Sequence, residues 1–163
     1  MKDLTPCVCD PLCVLYIYPM TGKPGVPIPD GWAEIPGAAG CTPQSCSYRD
    51  NFDEFQALGV TIYGVSAQPT LDQVEAAKRL NLPYELLSDS ELKFASSLNL
   101  PIFEVAELKL LKRVTLICSD GVIKKLFYPV FPPDKNAFNV IEWLKYHAHN
   151  EQIQPTPKNG AAD

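Results

Sequence analysis

No apolar run in this sequence approaches the roughly 20 residues that span a bilayer. The longest, Cys13 to Tyr18, is also too short for the apolar core of a secretory leader, and prolines interrupt what precedes it. Histidine is scarce. The two present, His147 and His149, stand at the far end of the chain, so Cys7-x-Cys9-x-x-x-Cys13 has no nearby imidazole to complete a metal site. No metal or other cofactor is expected. Basic residues are outnumbered, 14 against 19 acidic, for a net charge of −5. That balance argues against nucleic acid and against an anionic membrane surface as partners. The sequence shows no internal repeat, no phosphate-binding glycine loop and no pair of carboxylates spaced for acid–base work. The expectation is a soluble, cytoplasmic protein whose 163 residues form one domain with a single substantial core.

What the sequence does have is six cysteines. In a reducing compartment these read as reactive or metal-binding thiols rather than a disulfide framework. Cys13 and Cys118 lie inside apolar runs and read as small core residues. The stretch Gly40-Cys41-Thr42-Pro43-Gln44-Ser45-Cys46-Ser47-Tyr48-Arg49-Asp50 is different. Thr42 reads as a helix N-cap and Pro43 as the first helical residue. A thiol at that point faces unpaired backbone N–H groups and the positive end of the helix dipole, which favour the nucleophilic thiolate. Arg49 and Gln44-Ser45 add polarity, and Cys46 is close enough to trap an oxidised Cys41.

The surrounding pattern places this stretch. Residues 1–12 read as an irregular lead-in, followed by a buried strand at Cys13–Tyr18. A loop over 21–40, with four prolines and five glycines, has the length of a functional loop. A helix over 43–58 puts Tyr48, Phe52 and Phe55 on one face, and Gly59 ends it. Val60–Val65 is the second strand. Capping boxes at Thr70–Gln73 and Ser88–Glu91 open helices facing inward through Leu71, Val74 and Ala77, and through Leu92, Ala95 and Leu98. A short strand, Tyr84–Leu87, lies between them. Arg113–Cys118 and Val122–Phe127 flank Ser119-Asp120-Gly121, a hairpin signal. Asp134 is a plausible cap for a last helix with Phe138, Ile141 and Leu144 inward. From about residue 149 the chain reads as a disordered tail. A parallel strand–helix–strand start, closed by an antiparallel hairpin and a helix, outlines an α/β, thioredoxin-like fold. Its sheet would be mixed and flanked by helices.

On Tyr16-Ile17-Tyr18-Pro19, Gly40 to Asp50, Gly64-Val65-Ser66, Leu86 to Asp89 and Arg113 to Ile117, the sequence resembles the peroxiredoxins, within them the bacterioferritin comigratory (Q-type) group. The likeness runs from about Val14 to Leu144. It implies a thiol peroxidase acting on hydroperoxides, with Cys41 peroxidatic and Cys46 resolving. Arg113 would stabilise thiolate and peroxide, and thioredoxin or a similar dithiol would be the reductant. Thr21, Gly40, Thr42 and Tyr48 are the expected substrate-side residues, and a monomer or dimer is expected.

Two departures stand out. The family's motif threonine, three residues before the peroxidatic cysteine, is Ala38 here, and about fifteen residues separate the motif's halves. Thr21, or a backbone N–H of Gly40 or Cys41, is the expected replacement for that hydroxyl. Only twelve residues precede the first core strand, too few for the family's N-terminal hairpin. Geometry adds a constraint. Five residues of intact helix rise about 7.5 Å, beyond the roughly 6.8 Å Cα separation of a disulfide, so the first turn must unwind for Cys41 to reach Cys46. Two other readings are a thiol–disulfide oxidoreductase without peroxidase activity and a redox-inactive binding module. Cys-x4-Cys spacing and Arg113 weigh against the former.

Overall fold

The computed structural model describes residues 11–148. The lead-in to residue 10, with Cys7 and Cys9, and the tail from 149, with His149, lie outside the described residues. Five strands form a mixed sheet in the order β3-β2-β1-β6-β7. They are β1 (Leu12–Ile17), β2 (Thr61–Ser66), β3 (Glu85–Ser88), β6 (Val114–Ser119) and β7 (Val122–Phe127). β1, β2 and β3 pair in parallel, and β6 runs antiparallel to both β1 and β7. The helices are α1 (Cys41–Asp50), α2 (Phe52–Ala57), α3 (Thr70–Arg79), α4 (Lys93–Ser97) and α5 (Asn136–Ala148). The architecture is the thioredoxin-like one expected.

Every residue of β1 is buried, because the strand is central and both its faces are covered. Leu12, Val14 and Tyr16 point into one core with Tyr48, Phe55, Val140, Ile141 and Leu144, beneath α1, α2 and α5. Cys13, Leu15 and Ile17 point into the other, with Ala95 and Leu111, beneath α4. The alternation follows from the two-residue period of a strand. Each fully buried aromatic contributes about 1.5–3 kcal/mol. The β6–β7 turn forms as read: Asp120 and Gly121 have φ of 51° and 78°, the left-handed pair that a two-residue hairpin needs.

Several local readings change. The helix over 43–58 is two helices that meet at Asn51, whose φ of −104° and ψ of 12° leave the helical range; its side chain donates to the Ser47 carbonyl at 2.8 Å, beside the backbone bond at 3.2 Å. α2 ends as expected at Gly59, where Val60 N–H reaches Phe55 O at 3.0 Å and Gly59 N–H reaches Gln56 O at 3.0 Å, the paired bonds of a Schellman end. Neither capping box forms. α3 follows Pro69 and faces inward through Gln73, Ala76 and Leu80, while Leu71 and Val74 are exposed. α4 is capped by Asp89, whose carboxylate accepts from Phe94 N–H at 3.0 Å and Ala95 N–H at 2.9 Å; Leu98 is exposed. Phe138 of α5 is exposed too, and Ala137 and Val140 take the inner face with Ile141 and Leu144. A short 3-10 turn, Pro133–Lys135, precedes α5. The hairpin β4 (Ile102–Val105) and β5 (Leu108–Leu111) had no counterpart in the sequence reading.

Candidate active site

Cys41 is the first residue of α1, so the helix starts two residues earlier than a Thr42 cap would give. The cap is Gly40, at φ 109°, with no side chain to bond. A Cβ there would stand 2.7 Å from Pro133 Cγ, so the turn before α5 packs where only glycine leaves room. Thr42, half-buried, is the second helical residue. Gln44 N–H donates to Gly40 O at 3.0 Å. The N–H groups of Cys41 and Thr42 have no intrahelical acceptor by geometry, and Pro43 contributes none.

Arg113, on the residue before β6, is buried and converges on the same point. Its Nη2 donates to Cys41 Sγ at 3.2 Å and to the carbonyls of Gly37, Ala38 and Ala39 at 3.1, 3.2 and 3.2 Å. Its Nη1 donates to Gln44 Oε1 at 2.6 Å. Among these partners Cys41 is the one ionisable group. The guanidinium therefore sets its positive charge directly beside the sulfur. The Cys41 thiol can also donate to Ala38 O at 3.7 Å. Arg113 Nε is buried with no hydrogen-bond partner among the described residues.

Behind the arginine stands a residue the sequence reading passed over. Asn136 Oδ1 accepts from Gln44 Nε2 at 3.1 Å, from Thr115 Oγ1 at 2.8 Å and from the Tyr48 hydroxyl. It opens α5 next to a predicted cap, and no local signal separates it from an ordinary helix-start asparagine. Tyr48 is fully buried, stacked on Tyr16 with ring centroids 4.5 Å apart. It therefore reaches the site through Asn136 and Gln44, and does not wall it. The hydroxyls of Tyr16, Tyr18, Tyr48 and Tyr84 are all pushed up by burial, so they remain hydrogen-bond donors.

Cys46 is half-buried on the same unbroken helix, and neither it nor Cys41 is bridged. Ser45 between them accepts from the Tyr16 hydroxyl at 3.0 Å through Oγ and from the Tyr84 hydroxyl at 2.7 Å through its carbonyl. Arg49 turns outward to Asp50 at 3.0 Å and to Leu80 O at 2.8 Å. Its charged form is favoured first by the hydrogen bond to Asp50. Thr21 is buried, and its hydroxyl donates to Gln68 Oε1 at 3.3 Å. Ala38, in the motif threonine's place, is buried against Trp32 and Leu110. The loop thus presents carbonyls and an apolar wall here.

The site is thus a helix-start thiol in contact with a guanidinium on a thioredoxin-like sheet. The chain belongs to the Redoxin family, whose model matches residues 13–141. It is similar to the chloroplastic peroxiredoxin Q of Arabidopsis thaliana, 26% identical over 132 residues, 81% of this chain and 54% of that protein. The counterpart from Triticum aestivum gives the same identity and coverage. The chain spans about half the length of these curated relatives. Among solved structures, peroxidoxin BcpB from Mycobacterium tuberculosis superposes with a TM-score of 0.70 at 23% identity, covering 89% of this chain and 85% of that one. The Xanthomonas campestris bacterioferritin comigratory protein gives 0.68 at 19%, covering 88% and 83%. These likenesses share the fold, and they carry the Q-type names that the sequence resemblance implied.

Proposed function

We propose that the chain is a thiol-dependent peroxidase reducing hydrogen peroxide and organic hydroperoxides at Cys41. The observation that carries this reading is the 3.2 Å contact from Arg113 Nη2 to Cys41 Sγ at the start of α1. The thiolate attacks one peroxide oxygen, the O–O bond breaks, and water or an alcohol leaves with a proton. Arg113 offsets the charge moving from sulfur to the departing oxygen, and its unpartnered Nε is a further donor for that oxygen. The N–H groups of Cys41 and Thr42 take over the hydroxyl role that Ala38 lacks, since Thr21 is engaged by Gln68. Cys46 then attacks the Cys41 sulfenic acid, expelling water and forming a disulfide, which a thioredoxin-like dithiol reduces by exchange.

The relatives support this substrate class. The Xanthomonas campestris protein is described by its alkyl peroxide reduction activity, and Prx3 of Vibrio vulnificus was captured with hydrogen peroxide. The cycle needs a compartment that regenerates dithiols, and the cytoplasm is the one we propose. No described helix is long and apolar enough to cross a membrane.

The test is stopped-flow consumption of hydrogen peroxide by the wild type, Cys41→Ser and Cys46→Ser. Loss of reaction in Cys41→Ser, with one turnover and an accumulating sulfenic acid in Cys46→Ser, is the expected result. Peroxide consumption that survives Cys41→Ser overturns the assignment. A wild type that exchanges disulfides but ignores peroxide makes it a thiol–disulfide oxidoreductase instead.

A further inference from the structure

Cys13 of β1 and Cys118 of β6 stand directly opposite each other across an antiparallel pair. Opposed residues in such a pair project from the same face, with Cα atoms about 4.5 or 5.5 Å apart according to their hydrogen-bond class. Either separation falls inside the roughly 4.4–6.8 Å window of a disulfide. Both cysteines are unbridged here. The face they share is the one away from Cys41: Cys13 packs with Leu15 and Leu116, and Cys118 lies against the same cluster.

The two differ in access. Cys13 is sealed, whereas Cys118 is half-buried and lines a cleft of about 120 Å³ with Leu15, Phe94, Leu98, Leu116 and Ile123. Leu98 and Ile123 stand at its exposed rim. The pairing of β6 with β7 shifts register between Ile117 and Cys118, and such a bulge re-aims the side chains beside it. A hydrogen bond from Cys13 holds the Cys118 thiol below the ordinary cysteine range, against the effect of burial. An apolar cleft of that size takes a short hydrocarbon group.

We propose that Cys13 and Cys118 form a second redox site, a dithiol oxidised to a cross-strand disulfide by hydroperoxides whose apolar groups enter the cleft beside Cys118. The site goes beyond the Cys41 reading and does not depend on it. The Cys118 thiolate attacks the hydroperoxide oxygen, breaking the O–O bond, and an alcohol leaves with a proton. Cys13 then attacks the resulting sulfenic sulfur; the S–O bond breaks, and the hydroxyl departs with the Cys13 proton as water. Two thiols are oxidised by two electrons and one hydroperoxide is reduced. The product ties the two central antiparallel strands together, and an external dithiol reverses it by exchange.

The test uses the full chain with Cys7, Cys9, Cys41 and Cys46 replaced by serine, treated with one equivalent of cumene hydroperoxide or hydrogen peroxide. The expected result is concerted loss of both remaining thiols, a mass lower by two hydrogens, and recovery with dithiothreitol. Cumene hydroperoxide should act about tenfold faster, the scale of a modest apolar contact. Persisting thiols, added oxygen without a cross-link, or equal rates for the two peroxides overturn the proposal. A parallel measurement guards against a misfolded variant. In the chain with all six cysteines, peptide mapping after the same treatment should join the Cys13 and Cys118 peptides, and Cys118→Ala should lose that link while its Cys41 kinetics with hydrogen peroxide stay unchanged. Absence of the link there also overturns the proposal. A link that forms in a Cys41→Ser chain separates this site from the fate of the first.

Discussion

Arg113 and Cys41 are 72 residues apart in the chain and 3.2 Å apart in the fold. The separation is closed by β6, which runs antiparallel beside β1, and by the turn Pro133–Lys135, which packs on Gly40. Three carbonyls of the 37–39 segment hold the same guanidinium nitrogen. The arginine is therefore fixed before any substrate arrives, which is the preorganised form of electrostatic stabilisation.

Replacing Arg113 tests that preorganisation. Arg113→Ala is expected to slow the reaction of Cys41 with hydrogen peroxide by about 10²–10³-fold, the range seen when one such donor is removed. Arg113→Lys should fall between, because an ammonium keeps the charge but cannot span Gln44 and Cys41 together. Stopped-flow rates that match wild type in both variants would show that the contact is structural only.

Asn136 concentrates three donors on one oxygen. Asn136→Leu leaves Gln44, Tyr48 and Thr115 unsatisfied in a buried place, at about 1–3 kcal/mol per group. A drop of about 3 kcal/mol or more in urea unfolding is expected, with slower peroxide reduction as Gln44 loses its orientation. Asn136→Asp retains the acceptor and should recover most of the rate at Cys41. If the leucine variant unfolds at the same urea concentration as wild type, the hub carries no weight.

Gly40 combines a left-handed backbone with contact against Pro133. Gly40→Ala forces strain of more than about 1 kcal/mol and displaces Cys41 from Arg113. Lower thermal stability and a reduced peroxide rate are expected together. An alanine variant with an unchanged melting temperature would mean that the turn yields without cost.

Oxidation has a local signature. With Cys41 and Cys46 on one intact helix, the disulfide requires α1 to open. The bonds from Tyr16 and Tyr84 to Ser45 open with it. Amide hydrogen exchange over residues 42–50 should rise sharply in the oxidised protein while β1 and β6 stay protected. Equal protection of α1 in both redox states would exclude unwinding.

Much of this was legible in the sequence where the determinants are local. β1 alternates between two cores because it is apolar throughout and central, and the Asp120-Gly121 turn declares its own geometry. Cys41 and Arg113 were marked by the company they keep. The misreading of α3 and the oversight at Asn136 have one cause. Leu71 and Val74 looked inward by period, but Gln73 takes that face, donating to Ser66 Oγ at 2.7 Å and Leu87 O at 3.0 Å and accepting from Tyr18. Asn136 meets Gln44 across 92 positions. A buried polar group is decided by its tertiary partners, and those are invisible to a window of a few residues. The Cys13–Cys118 pairing escaped for the same reason: each looked like filler until register set them face to face.

The loop before Cys41 carries one more consequence. Trp32 is buried against Ala38, whose carbonyl is held by Arg113, while Trp143 stacks on His147 with centroids 3.8 Å apart. One indole is thus wired to the reactive end of the molecule and the other is parked on the last helix. The protein contains its own optical gauge: emission from Trp32 should follow each redox cycle without any label being attached.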